Sequence, residues 1–438
     1  MKRLSISTCL VAAICLSWMP ALAHDQHDGR RHWEIPSKDP DRIILTFHGD
    51  SSTSRAVTWR TDNTVSAAVA QIAEATVNST FQEHAREIVA VTEPLDLGLR
   101  QVNAPLVVHH HSVIFEGLNP DTLYAYRVGD GESIWSEWIQ FRTAKAGYAK
   151  TKFVYFGDAQ NDLHAHWSRV IRMAYQTAPD SAFAIHAGDL VNLAHRDREW
   201  AEWFQAGSFI HRQWTSIPVV GNHEYWDPHD PHKLSIQWRP QLTLPVEEQL
   251  PQELHETAYT VDYQDIRIIV LNSHRPMEEQ TRYLEEKLKN CTAKWKILTC
   301  HNSVFSPAAG RNFQFARDHW KPLLDKYGVD LVLNGHDHTY ARGHVPVRTT
   351  DGENPGKLGT VYVTSVSGPK QYSFNLEQIK TYADEGYQLD QAANQTQFFQ
   401  VITVEDSTLV YVAYTVLGEE YDRAIITKDF ATGEKTLK

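Results

Sequence analysis

Five short apolar runs, each ending in a metal-ligating or titratable side chain, constrain what this 438-residue chain can become. They are Val154-Tyr155-Phe156-Gly157-Asp158, Ala184-Ile185-His186-Ala187-Gly188-Asp189, Pro218-Val219-Val220-Gly221-Asn222-His223, Lys296-Ile297-Leu298-Thr299-Cys300-His301 and Val329–Leu333 followed by Asn334-Gly335-His336-Asp337-His338. Short apolar runs closed by glycine read as buried strands, and the stretches between them, such as His164–Gln176, Arg196–Phe209, Glu278–Leu288 and Phe313–Tyr327, read as helices. Alternating strands and helices bring strand ends to one edge of a sheet, where α/β active sites form. Any one ending could be ordinary turn chemistry. Five in one chain assemble a site, and two histidines one residue apart at a strand mouth can address two metal ions at once.

The region before these runs follows another period. Ile43–Phe47, Ala56–Arg60, His111–Phe115 and Tyr124–Val128 are strand-like runs split by turn-rich segments, which predicts a β-sandwich over residues 41–145. His109, His110 and His111 invite a metal reading, but neighbours on a strand point to opposite faces and cannot converge on one ion. Thr143–Tyr148 reads as a linker to a second domain at 150–438, as expected when single cores seldom grow past about 250–300 residues. Met1-Lys2-Arg3, an apolar stretch to Trp18 and Ala21-Leu22-Ala23 read as a cleavable signal over residues 1–23, so the protein is expected to be secreted or periplasmic. A polar leader, 24–40, should then be solvated, with His24, His27 and His32 in it. No later stretch reaches the roughly 18 apolar residues of a membrane span. Of the cysteines, Cys291 and Cys300 remain after cleavage and are expected to be free and buried, because the strand between them separates them too far for a disulfide. The formal charge of −12 argues against nucleic-acid or anionic-membrane partners. A small phosphorylated substrate is not excluded, since metal charge dominates inside a pocket. Oligomeric state is not encoded legibly.

The order Gly-Asp, Gly-Asp, Gly-Asn-His-Glu, His, Gly-His-Asp-His resembles the calcineurin-like metallophosphoesterase superfamily, and the N-terminal region narrows the likeness to its purple acid phosphatase branch. The resemblance runs from about residue 41 to the C-terminus. It implies a four-layer α/β domain with two mixed sheets, preceded by a fibronectin type III-like sandwich, to which Leu118-x-Pro120-x-Thr122-x-Tyr124 is similar. It also implies two divalent metal ions. Asp189 would bridge them, Asp158 and His338 would hold the first, and Asn222, His301 and His336 the second. His223 would donate a proton to the leaving group. Arg311, in a loop where the family contacts phosphate, is expected either to fork onto phosphate oxygens or to be an ordinary surface arginine. His164, His166, His195 and His229 could line the pocket or a solvated loop.

Two departures bear on the metals. Purple members place an iron-binding tyrosine three residues after the bridging aspartate, where this chain has Asn192. Most other members place a histidine two residues after the first aspartate, where it has Gln160, which could ligate weakly through its amide oxygen. Without a phenolate, an all-divalent and colourless centre is expected, and the mix of oxygen and imidazole donors suits zinc, manganese or iron over calcium. Two such ions make hydroxide available at mild pH and neutralise developing charge. The expected function is an exported, metal-dependent phosphoesterase acting on phosphomonoesters. A phosphodiesterase or nucleotidase on the same site is the near alternative, and a non-catalytic surface-binding relic the distant one. The polar, helix-prone segment Tyr372–Gln397 fits a lid, a dimer contact or a surface insertion.

Overall fold

The apolar runs become the central strands of two mixed sheets. In this computed structural model residues 31–98, 106–225, 230, 232–274, 276–349 and 352–438 are described. The expected signal segment, the leader through residue 30 and His229 lie outside the described residues. Thr151–Phe156, Phe183–His186 and Thr215–Pro218 pair in parallel. Ile266–Leu271, Trp295–Cys300, Leu331–Asn334 and Gly352–Thr364 form a parallel group in the other sheet. Antiparallel strands flank both groups: Phe398–Glu405 pairs with Thr151–Phe156, and Tyr259–Tyr263 with Ile266–Leu271.

Alternation along the second sheet shows how the layers stack. Ile268, Ile297 and Leu331 enter the core shared with Val154, Ile185 and Ile217 of the first sheet. Their neighbours Ile269, Leu298 and Val332 pack the other way, against Tyr283, Leu284, Trp320 and Leu324. Successive strand residues face opposite sides, so one sheet lines two cores. The helix Met277–Lys289 covers the outer face of the second sheet, and Trp167–Thr177 covers the first. The result is helix, sheet, sheet, helix.

The N-terminal β domain pairs a four-stranded sheet with the end of the first large sheet, around Val57, Trp59, Ile72, Tyr126 and Phe141. The Leu118–Tyr124 motif closes a corner in which the Tyr124 hydroxyl accepts the Asn119 N–H at 2.9 Å. Asp41–Thr46 pairs antiparallel with Arg55–Asp62 and parallel with Thr215–Pro218 at Thr46 and Ser216. An eleven-stranded sheet therefore runs from one domain into the other. A buried charge cluster fixes the junction. Arg42 lies 2.7 Å from Asp197 of the helix Asp197–Gly207, and Arg60 contacts both Asp41 at 2.6 Å and Asp197 at 3.2 Å.

Three expectations change. Leader residues 31–40 are not all solvated: Trp33 stacks on His164 at 5.0 Å and Glu34 is buried, because an indole finds apolar cover wherever the chain allows it. Both cysteines are free, but Cys291 is half-buried, since it lies in the turn that ends the helix Met277–Lys289. The helix-prone segment 372–397 supplies the short helix Leu376–Thr381 and then the strand Gln388–Ala393, whose pairing with Tyr340–Thr349 extends the second sheet. Backbone groups at a sheet edge outweigh weak helical propensity there.

Candidate active site

The strand ends of both sheets meet, and the residues expected to hold metal converge there. One ligand atom each from Asp158, Asp189 and His338 lies within 4.8 Å of the others, and the same holds for Asp189, His301 and His336. Asp189 belongs to both groups.

Local geometry explains the glycines in the motifs. Any side chain at Gly221 would collide with the Asp189 carboxylate, and one at Gly335 with that of Asp158. Asp189, His336 and His338 all adopt positive φ, at 49°, 72° and 48°. Non-glycine residues held in this region cost about 1–3 kcal/mol each and collect at functional sites. Glu224 braces the turn from below: buried, it accepts the N–H groups of Asp189 at 3.0 Å, Leu190 at 3.0 Å and Gly221 at 2.7 Å.

Each aspartate uses one oxygen on the backbone and presents the other to the cluster. Asp158 Oδ1 accepts the His336 N–H at 2.6 Å, while its buried Oδ2 has no hydrogen-bond donor. Asp189 Oδ1 accepts the His223 N–H at 2.9 Å, and its Oδ2 lies 3.2 Å from His301 Nε2. The histidines are oriented by carbonyls. His301 Nδ1 donates to Ala187 at 2.9 Å and His338 Nδ1 to Lys370 at 3.1 Å, so each Nε2 faces inward. His336 Nδ1 lies 3.0 Å from His301 Nε2, and Asn222 Oδ1 lies 3.2 Å from the same nitrogen.

Electrostatics here call for a cation. Burial pushes the Asp158 carboxyl up to about 7, though His301 opposes it. Burial would also raise Asp189, but His301 and His223 outweigh it and hold that carboxyl well below its ordinary range. His301 shows the converse: burial lowers it, yet Asp189 and Asp158 raise it to about 9. A proton on His301 thus supplies positive charge between two buried carboxylates. His338 is lowered to about 3 by burial and the charge of Lys370, so it is a neutral imidazole whose Nε2 lone pair faces the cluster. Paired carboxylates, an orphaned buried oxygen and the inward-facing neutral imidazole of His338 fit divalent ions.

Gln160 is buried in the cluster but faces it with the other end of its amide. Nε2 donates to Asp189 Oδ2 at 2.9 Å and reaches His338 Nε2 at 3.1 Å, leaving Oε1 without a donor. Anionic oxygen and an imidazole lone pair demand a donor when no cation is present. A cation would demand the oxygen, and an amide can be turned. His223 Nε2 lies 3.7 Å from Asp189 Oδ2, and its Nδ1 donates to the Asn192 carbonyl at 2.5 Å. Arg311 hydrogen-bonds His336 and the Tyr372 hydroxyl, so it stands at the site's edge rather than on an unrelated surface. Tyr225 does not replace the missing phenolate, because its hydroxyl accepts from Asn272 Nδ2 at 2.6 Å. Of the other histidines, His164 packs on Trp33 and takes no part. His109 and His111 hydrogen-bond Val65, Thr61 and Thr92, and join no ligand group among the described residues.

Three further residues, Glu224, Lys370 and Tyr372, shape this site. Glu224 stood inside Gly-Asn-His-Glu, where a buried carboxylate beside a strained turn is a readable brace. Lys370 and Tyr372 follow Ser367-Gly368-Pro369, and only the return of the strand Gly352–Thr364 beside Leu331–Asn334 brings them back to His338.

Residues 40–143 match the family model described as Purple acid Phosphatase, N-terminal domain, and residues 159–340 match Calcineurin-like phosphoesterase. An uncharacterized protein of Mycobacterium tuberculosis is 28% identical over 357 residues, covering 73% of this chain and 63% of that protein. The chain thus spans less than two thirds of that relative's length. Purple acid phosphatase 23 of Arabidopsis thaliana is 23% identical, covering 64% of this chain and 65% of its own. Among solved structures, the purple acid phosphatase PPD1 of yellow lupin superposes with a TM-score of 0.71 at 18% identity, covering 91% of this chain and 76% of its own. PhoD superposes with a TM-score of 0.64 at 13% identity, covering 92% of each chain. These two likenesses are of fold.

Proposed function

We infer, for a chain that belongs to the purple acid phosphatase-like metallophosphoesterases, that it hydrolyses phosphomonoesters at a centre of two divalent ions. The observation that carries this reading is the shared carboxylate: Asp189 stands in both ligand groups, one with Asp158 and His338, the other with His301 and His336. In this reading Asp158, Gln160, Asp189 and His338 hold the first ion, and Asp189, Asn222, His301 and His336 the second. Such ions, when bound, lower the pKa of coordinated water towards about 7 and neutralise charge on phosphate oxygens.

The side chains supply the rest. Arg311 exchanges its contact with His336 for a two-pronged grip on phosphate oxygens. His223 presents Nε2 to the leaving oxygen, since Nδ1 is tied to Asn192. Donating from Nε2 while Nδ1 keeps its proton requires the doubly protonated ring. Burial lowers its proton affinity despite Asp189, so donation should strengthen as pH falls.

Metal-loaded protein assayed on a monoester and a diester side by side, with metal content measured, tests the reading. Two ions per chain and faster monoester turnover support it. Faster diester turnover would favour a phosphodiesterase, and no metal with no turnover a binding relic. We also read the chain as exported, from the pattern over residues 1–23; N-terminal sequencing of protein from an expressing cell's exterior would show or refute cleavage after Ala23.

A further inference from the structure

Beside the ligand cluster, two cations share one aromatic ring. Arg311 Cζ lies 4.9 Å and Lys370 Nζ 5.5 Å from the centroid of Tyr372, so they are no farther apart than these distances together. The ring is itself held in place. It packs edge-on against His338 at 4.8 Å, its hydroxyl accepts from Arg311 Nη2 at 3.2 Å, and its backbone N–H donates to the His338 carbonyl at 3.1 Å. Arg311 and Tyr372 line a cleft of about 510 Å³ with Ala309, Gly310, His336 and Ser373. Arg311 has Asp337 at 3.9 Å as a partial counter-charge. Lys370, half-buried, makes no ion pair with a carboxylate among the described residues. A half-buried lysine without a carboxylate partner, resting on the same ring as Arg311, is placed to meet an anion. Arg311 suffices for the scissile phosphate, which leaves Lys370 for a second negative group on the same molecule.

We propose that Lys370, set beside Arg311 by Tyr372, selects phosphomonoesters whose leaving group carries a second anionic group, a carboxylate or another phosphate. This specificity rests on the phosphatase reading above. Phosphoserine and phosphoethanolamine differ only by a carboxylate, and ethylene glycol bisphosphate carries a second phosphate where phosphoethanolamine carries its ammonium. Wild-type, metal-loaded protein should prefer phosphoserine or the bisphosphate to phosphoethanolamine, and whichever is preferred names the anion recognised. Lys370→Met should lower kcat/KM for the preferred ester by about tenfold, the worth of one charge-assisted hydrogen bond, chiefly through KM. Phosphoethanolamine should lose no more than about threefold, and Lys370→Arg should keep most of the preference. Because each ratio is taken within one preparation, damage to folding cancels. Equal losses on all three esters, or no wild-type preference, would overturn the inference while leaving the phosphatase reading intact. Failure to hydrolyse any of them would overturn both.

Discussion

Asp189 occupies the least replaceable position in the site. One oxygen braces the His223 turn, and the residue belongs to both ligand groups. Asp189→Asn keeps the shape and removes the charge, so turnover should fall by orders of magnitude and metal content with it; full metal occupancy at near-normal activity would remove Asp189 from the bridge. His223 can be separated from structural damage by its leaving groups. General acid catalysis contributes about 10²–10⁴-fold where protonation is needed and little where the leaving group is stable. His223→Ala should therefore depress hydrolysis of alkyl phosphates far more than of nitrophenyl phosphate, with metals retained, and equal losses would mean that it positions phosphate or supports the turn. Asn192 offers no phenolate and Tyr225 is engaged by Asn272, so the isolated protein should show no strong visible band. A violet preparation would point to another tyrosine, and Tyr372, packed on His338, is the one to mutate.

At the scale of elements, the junction between the β domain and the phosphoesterase domain depends on a carboxylate between two arginines. Burial raises Asp197, but Arg42 and Arg60 outweigh it and hold its pKa below the ordinary carboxylate value. A depressed folded pKa gives stability that is complete above the unfolded value, about 3.9, and is lost as pH falls through the folded one. Asp197→Ala also leaves two buried guanidinium groups short of a partner, which costs about 3–5 kcal/mol at neutral pH. Denaturant titrations at several pH values should show that gap narrowing below about pH 4. A gap independent of pH would mean that packing, not charge, is lost.

For the whole molecule, the two sheets close on a cluster of buried carboxylates that needs positive charge between them. Ions that bind only the folded chain stabilise it by about 2.7 kcal/mol at a hundredfold excess over Kd. Chelation should accordingly lower Tm, and readdition of zinc or manganese should restore it; an unchanged Tm would argue that the cluster binds no ion. Much of this was written in the chain. The apolar runs specified the central strands because burial on both faces leaves an unbroken hydrophobic signature, and the glycines beside Asp158, Asp189 and Asn222 marked close approaches, to the Ser365 backbone, the His301 ring and the Asp189 carboxylate in turn. That Asp158, Gln160, Asp189, Asn222, His301, His336 and His338 gather in one place was legible for the same reason, since each lies within four residues of the end of a strand. What the sequence left open depends on segments far apart in the chain. Trp33 meeting His164, Asp197 meeting Arg42 and Arg60, and Gln388–Ala393 extending a sheet are contacts with no local periodicity to announce them. The amide end that Gln160 turns inward follows from neighbours up to 178 residues away. Lys370 and Tyr372 reach the site only because their loop packs back on His338. Strand ends are set by local pattern, but which side chains face one another across the cleft is settled by how the two sheets pack.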